Sequence, residues 1–134
     1  MTLNTVDREA LEQKVKSMYS DVALNPHGEF HFEMGQAMAE RLGYAPADLA
    51  RVPAEATESF AGVGHFFHLA SLQPGEHVVD LGSGSGMDSF IAALKVGVDG
   101  RVVGVDMTDA QIEKATRLAQ ARGVQTVTYR KGFI

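Results

Sequence analysis

The chain has 134 residues, a one-domain length, and 45% of them are hydrophobic, enough to build a packed core rather than a disordered chain. Twelve Lys and Arg stand against 17 Asp and Glu, giving a net charge of −5, which argues against a nucleic-acid partner because such an interface needs clustered positive charge. No apolar run reaches the roughly 18 residues of a membrane span; the polar start MTLNTVDREALEQK is unlike a signal peptide; and the lack of Cys excludes disulfides and thiolate metal sites and fits a cytoplasmic protein.

The first 75 residues read as helices and loops, a helical cap over residues 1–75. Val6, Ala10, Leu11, Val15, Met18 and Val22 recur at helical spacing, with Asn4 or Thr5 as the expected cap and Asn25-Pro26-His27-Gly28 as the stop. Met34, Ala37, Met38, Arg41 and Leu42 predict a second helix that Gly43 ends. Pro46 and Pro53 suit the first turns of two short helices, SFAGVG (59–64) is a small-residue loop, and Phe66 to Leu72 predicts a helical turn before Gln73-Pro74-Gly75.

From residue 76 to 134 the texture changes to β-α-β-α-β. Glu76 to Leu81 is a short apolar run ending in a glycine loop, Met87 to Val96 has helical spacing, and Arg101 to Asp106 is a second, β-branched run. Thr108-Asp109-Ala110-Gln111 is a capping box for a helix whose buried stripe is Ile112, Ala115, Leu118 and Ala119. Gln125 to Arg130 predicts a third strand. This order implies a parallel sheet with right-handed crossovers. Three strands are about half of a doubly wound sheet, so its apolar face needs a cover: a C-terminal half, a second copy in a homo-oligomer, or the N-terminal helices.

The chemistry concentrates in Val78-Val79-Asp80-Leu81-Gly82-Ser83-Gly84-Ser85-Gly86-Met87-Asp88. Glycines after a strand permit positive φ and close approach of a ligand, and the next helix offers its positive N-terminus. The dinucleotide fingerprint places its third glycine where this chain has Met87, and a P-loop needs a Lys that this loop lacks. Asp80, an acid at the strand end, repels a pyrophosphate but suits a cation. S-adenosylmethionine carries a sulfonium and an ammonium, no phosphate, and a carboxylate that loop N–H groups can bind. Asp106 ends the second strand 20 residues after Gly86, where an acid accepts hydrogen bonds from ribose hydroxyls. Met107 follows, placed to lie on an adenine face or to pack in the core.

VVDLGSGSG followed by VVGVDMT resembles the S-adenosylmethionine-dependent methyltransferase family. PAEATESFAGVG, LQPGEHVVDLGSGSGMDSFIAALKVG and GRVVGVDMTDAQIEKA are similar to its arsenite methyltransferase branch. The resemblance runs from about Tyr44 onward and more loosely takes in Met18-Tyr19. It implies an α/β fold, a Rossmann-like methyltransferase core of which the chain holds the first three parallel strands, behind the N-terminal helical cap. It further implies that Asp80, Gly82, Ser83, Gly84 and Gly86 hold the methionine part, that Asp106 and Met107 hold the adenosine, and that Tyr19 reaches the cofactor from the first helix. That branch binds its metalloid through cysteines, where this chain has Val63 and Ser89; without thiolates, soft arsenic(III) lacks its ligands.

Plainer readings stand beside these. The glycines could form an ordinary βα turn, and Asp88 could be a first-turn acid that favours the helix dipole. His27 with His31, and His65 with His68, have ligand-like spacing but no third ligand nearby, so no metal is expected. His65 is a candidate general base, and no catalytic side chain is assigned. The expected activity is methyl transfer to a small-molecule acceptor. The rivals are a cofactor-binding module without turnover of its own, and a nicotinamide-dependent oxidoreductase, which Asp80 and Met87 argue against.

Overall fold

The structure, a computed structural model, describes residues 6–30 and 32–134. Three strands, β1 (His77–Leu81), β2 (Arg101–Asp106) and β3 (Val127–Lys131), pair in parallel in that order. Two rows of the register organise the molecule. Val78, Val102 and Val127 form one row and belong to the hydrophobic core. Asp80, Gly104 and Tyr129 form the next row on the same face, directly below the glycine loop. Alternate residues point the other way, so Val79 and Leu81 are 62% and 60% exposed on a face that no element among the described residues covers.

Helix α6 (Met87–Val96) follows β1, and α7 (Asp109–Ala121) follows β2. Both pack against the strands, as a parallel β-α-β-α-β unit requires. Ahead of them come α1 (Arg8–Leu24), α2 (Gln36–Leu42), α3 (Pro46–Leu49), α4 (Ala54–Glu58) and α5 (Phe67–Ala70). These helices do not form a core of their own. Tyr44, Leu49, Val52, Ala56 and Phe60 share one apolar cluster with Phe90, Ile91 and Val96 of α6 and Leu118 of α7. Helices α6 and α7 thus cover the sheet's buried side, the N-terminal helices pack against those two, α1 and α4 against α7, and the other face is left open among the described residues.

Most element boundaries agree with the sequence reading to within two residues. Gly43 ends α2 with φ +113°, and Pro46 occupies the first turn of α3. Three expectations need correction. The cap of α1 is Asp7, whose carboxylate accepts the Ala10 N–H at 3.0 Å; Asn4 and Thr5 lie outside the described residues. The capping box at Thr108 does not form. Asp106 reaches forward to accept the Thr108 N–H at 2.9 Å, the Thr108 hydroxyl is buried without a partner, and Gln111 bonds elsewhere. Gln111 therefore takes a buried place on α7, while Ile112 is only partly covered.

Candidate functional site

The loop between β1 and α6 is shaped by its own backbone. The N–H groups of Gly82 and Ser83 both donate to the Val105 carbonyl, at 2.8 and 2.9 Å, which ties the loop to the end of β2. Gly84 N–H donates to Asp106 Oδ2 at 3.0 Å, and Gly86 N–H to the Ser83 carbonyl at 3.0 Å. These amides are engaged inside the chain. The expectation that loop N–H groups bind a ligand carboxylate therefore moves to the first turn of α6, whose leading N–H groups have no intrahelical acceptor. What the glycines provide is clearance. Gly86 has φ +100°, and a Cβ there would stand 2.2 Å from the Tyr129 hydroxyl.

Above the loop lies a cleft of about 380 Å³, within the ~300–1,000 Å³ usual for ligand pockets. Gly82, Ser83, Gly84, Gly86, Asp106, Met107 and Tyr19 all line it, so seven of the eight residues expected at the site meet in one hollow. Asp80 does not line it. Its carboxylate is turned toward α6 and accepts the Ser89 hydroxyl at 2.7 Å. Burial raises the Asp80 pKa, the Ser89 hydrogen bond opposes this, and the nearby Asp106 charge adds to it.

The charged side chains that line the cleft are Asp88 and Asp106; no Lys or Arg does so. Asp88 accepts the Tyr44 hydroxyl, and burial pushes its pKa up to about 6, an effect the Tyr44 hydrogen bond reduces and the Asp80 charge reinforces. The Tyr44 hydroxyl is in turn raised above its ordinary value, by burial first and then by Asp88. Asp106 uses one acceptor position on each oxygen for Gly84 and Thr108, which leaves further lone pairs of a carboxylate with about four acceptor sites. Ser83 and Thr108 also line the cleft, but their hydroxyl oxygens are turned inward and buried without a partner. Acids without bases fit a cationic ligand.

The N-terminal segment closes the cleft through two side chains of α7. Gln111 donates to the Tyr19 carbonyl at 2.9 Å and accepts the Ser85 hydroxyl, so it links α1 to the glycine loop. Lys114, one turn on, donates to the Ala23 carbonyl at 3.0 Å and to Ser59. Burial lowers its pKa, yet a cation at the C-terminal end of α1 meets the negative pole of that helix.

The sequence reading missed several of these parts. Gln111 and Lys114 look like an ordinary helix surface in a string of residues. Gly104 had a usable signal, since a lone glycine in a β-branched run marks close approach. A Cβ at Gly104 would lie 2.6 Å from the Tyr129 ring and 2.8 Å from Ser83 Oγ. Conversely, His65 does not line the cleft; it meets the Tyr44 ring edge-on at 4.7 Å and stacks on His68 at 5.5 Å. His27 is 3.8 Å from Glu58, and His31 lies outside the described residues. Among the described residues no three His, Cys, Asp or Glu gather as metal ligands. Val63, one of the positions where the resemblance places a thiolate, is 91% exposed, and the other, Ser89, is fully buried against Asp80.

Residues 72–134 match a family model described as a methyltransferase domain. The chain is similar to the arsenite methyltransferase of Halobacterium salinarum, 45% identical over 96 residues that make up 72% of this chain and 24% of that protein. It is similar over a shorter stretch to an aklanonic acid methyltransferase of Streptomyces sp., 43% identical over 54 residues, 40% of this chain and 24% of that protein. Among solved structures it is similar to an arsenic(III) S-adenosylmethionine methyltransferase from Chlamydomonas reinhardtii, 41% identical with a TM-score of 0.52, over 64% of this chain and 30% of that one. The chain spans about a quarter of the length of the curated relatives it matches. With its parallel Rossmann-like sheet, its glycine loop and these matches, the chain belongs through residues 72–134 to the S-adenosylmethionine-dependent methyltransferase family, on the side of the arsenite methyltransferases but without their cysteines.

Proposed function

We propose that the cleft above Gly82–Gly86 holds S-adenosylmethionine and that the chain serves methyl transfer to a small-molecule acceptor. The observation that carries this is the charge of the lining: Asp88 and Asp106 with no Lys or Arg. Such a wall disfavours a pyrophosphate and favours a sulfonium and an ammonium. Asp106 has the spare acceptor positions for the ribose diol, Met107 offers an apolar surface to the adenine, and Tyr19 closes the cleft from α1. Gly82, Ser83, Gly84 and Gly86 make room for the methionine end, with the leading amides of α6 facing its carboxylate and Asp88 its cationic groups. Asp80 acts from behind, orienting α6 through Ser89.

When bound, S-adenosylmethionine supplies an electrophilic methyl group on sulfur. The chain's own task is alignment and exclusion of water. Lys114 and Gln111 hold α1 and the 59–62 loop over the cleft, which keeps the acceptor and the methyl group in one dry space. Residues 1–75 serve in this reading as the cap and 76–134 as the cofactor-binding core, two roles within one apolar cluster. The lack of a thiolate within these 134 residues favours a small-molecule acceptor other than arsenic(III), with an arsenite methyltransferase-like activity as the alternative. A second reading, a cofactor-binding module that turns over only with further chain or a partner on its sheet, is favoured by the exposed Val79 and Leu81.

The test is calorimetric titration with S-adenosylhomocysteine and, in parallel, with NAD. Binding of the first and none of the second is expected. The reverse would overturn the reading.

A further inference from the structure

A second hollow, of about 250 Å³, lies between the loop after α3, the end of α6 and the end of α7. It shares no lining residue with the cofactor cleft. Its walls are apolar, built from Pro53, Phe90, Leu94 and Val98, and its two charged members are Arg51 and Arg122. Val98 is 86% exposed at its edge.

The two arginines line the same hollow from different elements. An Arg122 guanidinium N–H reaches the Val52 carbonyl at 3.5 Å, across from α7 to the residue next to Arg51. No carboxylate among the described residues forms an ion pair with either. The chain carries 17 acidic residues and a net charge of −5, so two guanidinium groups lining one apolar hollow with no ion pair among the described residues run against its overall balance. An anion in that hollow is attracted by both, and a guanidinium binds a carboxylate through directed, charge-assisted hydrogen bonds.

We propose that this hollow is a second ligand site, selective for a small carboxylate with an apolar body. The body lies on Phe90, Leu94 and Val98, and the carboxylate bridges Arg51 and Arg122. The volume sets the size. It falls below the ~300 Å³ at which pockets for drug-sized ligands begin, so the ligand is a short acyl or single-ring acid. The proposal is independent of what the other cleft holds.

Sodium hexanoate is the probe, followed by backbone amide NMR shifts of the full 134-residue chain in the absence of nucleoside, with hexanamide as the uncharged control. The expected result is saturable shifts centred on Leu94, Val98 and Val124, and binding of hexanamide weaker by about tenfold or more, the scale of a charge-assisted hydrogen bond. Arg51→Gln and Arg122→Gln, both at exposed positions, should each weaken hexanoate by a similar factor and leave hexanamide unchanged. Equal affinity for acid and amide, or hexanoate binding that survives both substitutions together, would overturn the proposal. So would a self-association, seen by sedimentation velocity, that both arginine variants abolish, since the hollow would then be a contact between copies of the chain.

Discussion

Asp88 allows the electrostatics of the cleft to be tested without any ligand. Its carboxyl rises from 3.8 to about 6 in the folded chain, mainly through burial. The folded state therefore holds this proton more tightly than the unfolded state does. The sign is the opposite of a salt-bridged aspartate: the group's contribution is most favourable at low pH and is lost as pH rises from about 4 to about 6. Fully ionised, the buried carboxylate costs on the order of 3 kcal/mol. Between pH 5 and 7.5 the linkage amounts to about 1.4 kcal/mol, and solvent at the cleft mouth reduces it toward ~1 kcal/mol. Asp88→Asn keeps an acceptor for the Tyr44 hydroxyl and removes the titration. Urea unfolding at both pH values is expected to show wild type losing ~1 kcal/mol relative to the variant on going from pH 5 to 7.5. Groups common to both proteins cancel in the difference. Parallel pH profiles would refute the assignment of a destabilised carboxylate, and with it the idea that the cleft lacks, and needs, positive charge.

Asp106→Ala should weaken S-adenosylhomocysteine by about 10- to 100-fold in calorimetry, the range for lost charge-assisted hydrogen bonds, because Asp106 lines the cleft and orders Gly84 and Thr108. Asp80→Ala should weaken it less than Asp106→Ala, since Asp80 acts only through Ser89; the reverse order would mean that the Asp80 carboxylate turns into the cleft. Gly104→Ala should lower stability by about 1–3 kcal/mol in chemical denaturation, as its methyl would overlap the Tyr129 ring, and Tyr129→Leu in the same chain should recover part of the loss. Lys114→Met should speed hydrogen exchange of α1 amides from Tyr19 to Leu24 selectively, with α6 and β2 unchanged; a uniform increase would show global destabilisation instead of a released clasp.

The sheet and its loop were legible in the sequence because each rests on local chemistry. Gly82, Gly84 and Gly86 permit backbone conformations that other residues resist, β-branched residues in 101–106 favour extension, and Pro26 and Gly43 punctuate helices by what they cannot donate or can uniquely adopt. What could not be read is set by contacts across the chain. Thr108 and Gln111 form a correct capping pattern on paper, yet Asp106, two residues before Thr108, takes the Thr108 amide and Tyr19 offers Gln111 a carbonyl 92 residues away. The direction of a strand-end acid is equally invisible. Asp80 and Asp106 look alike in the string of residues, each an acid near the end of a parallel strand, yet one is turned toward Ser89 and the other toward the cleft.

That difference follows from the register. Asp80 shares its row with Gly104 and Tyr129, directly under the glycine loop and beside the start of α6, so the nearest polar group within its reach is Ser89. Asp106 lies two residues farther along the strand direction, in register with Lys131 and past the sheet's apolar rows, where backbone amides of the loop and of α7 converge on it. The cleft is therefore assembled from both ends of the chain's logic. Local glycine chemistry opens the loop, and two long-range clasps, Gln111 and Lys114, bring α1 down to close it. A chain that kept Val78–Asp88 but lost residues 1–24 would retain the acids and the turn, yet its cofactor side would stand open to water, where the same charges are worth far less. Removal of α1 should thus reduce affinity for a cationic nucleoside by more than the loss of any single contact with Tyr19, and the reduction should deepen with added salt, because an open cleft is screened and a closed one is not.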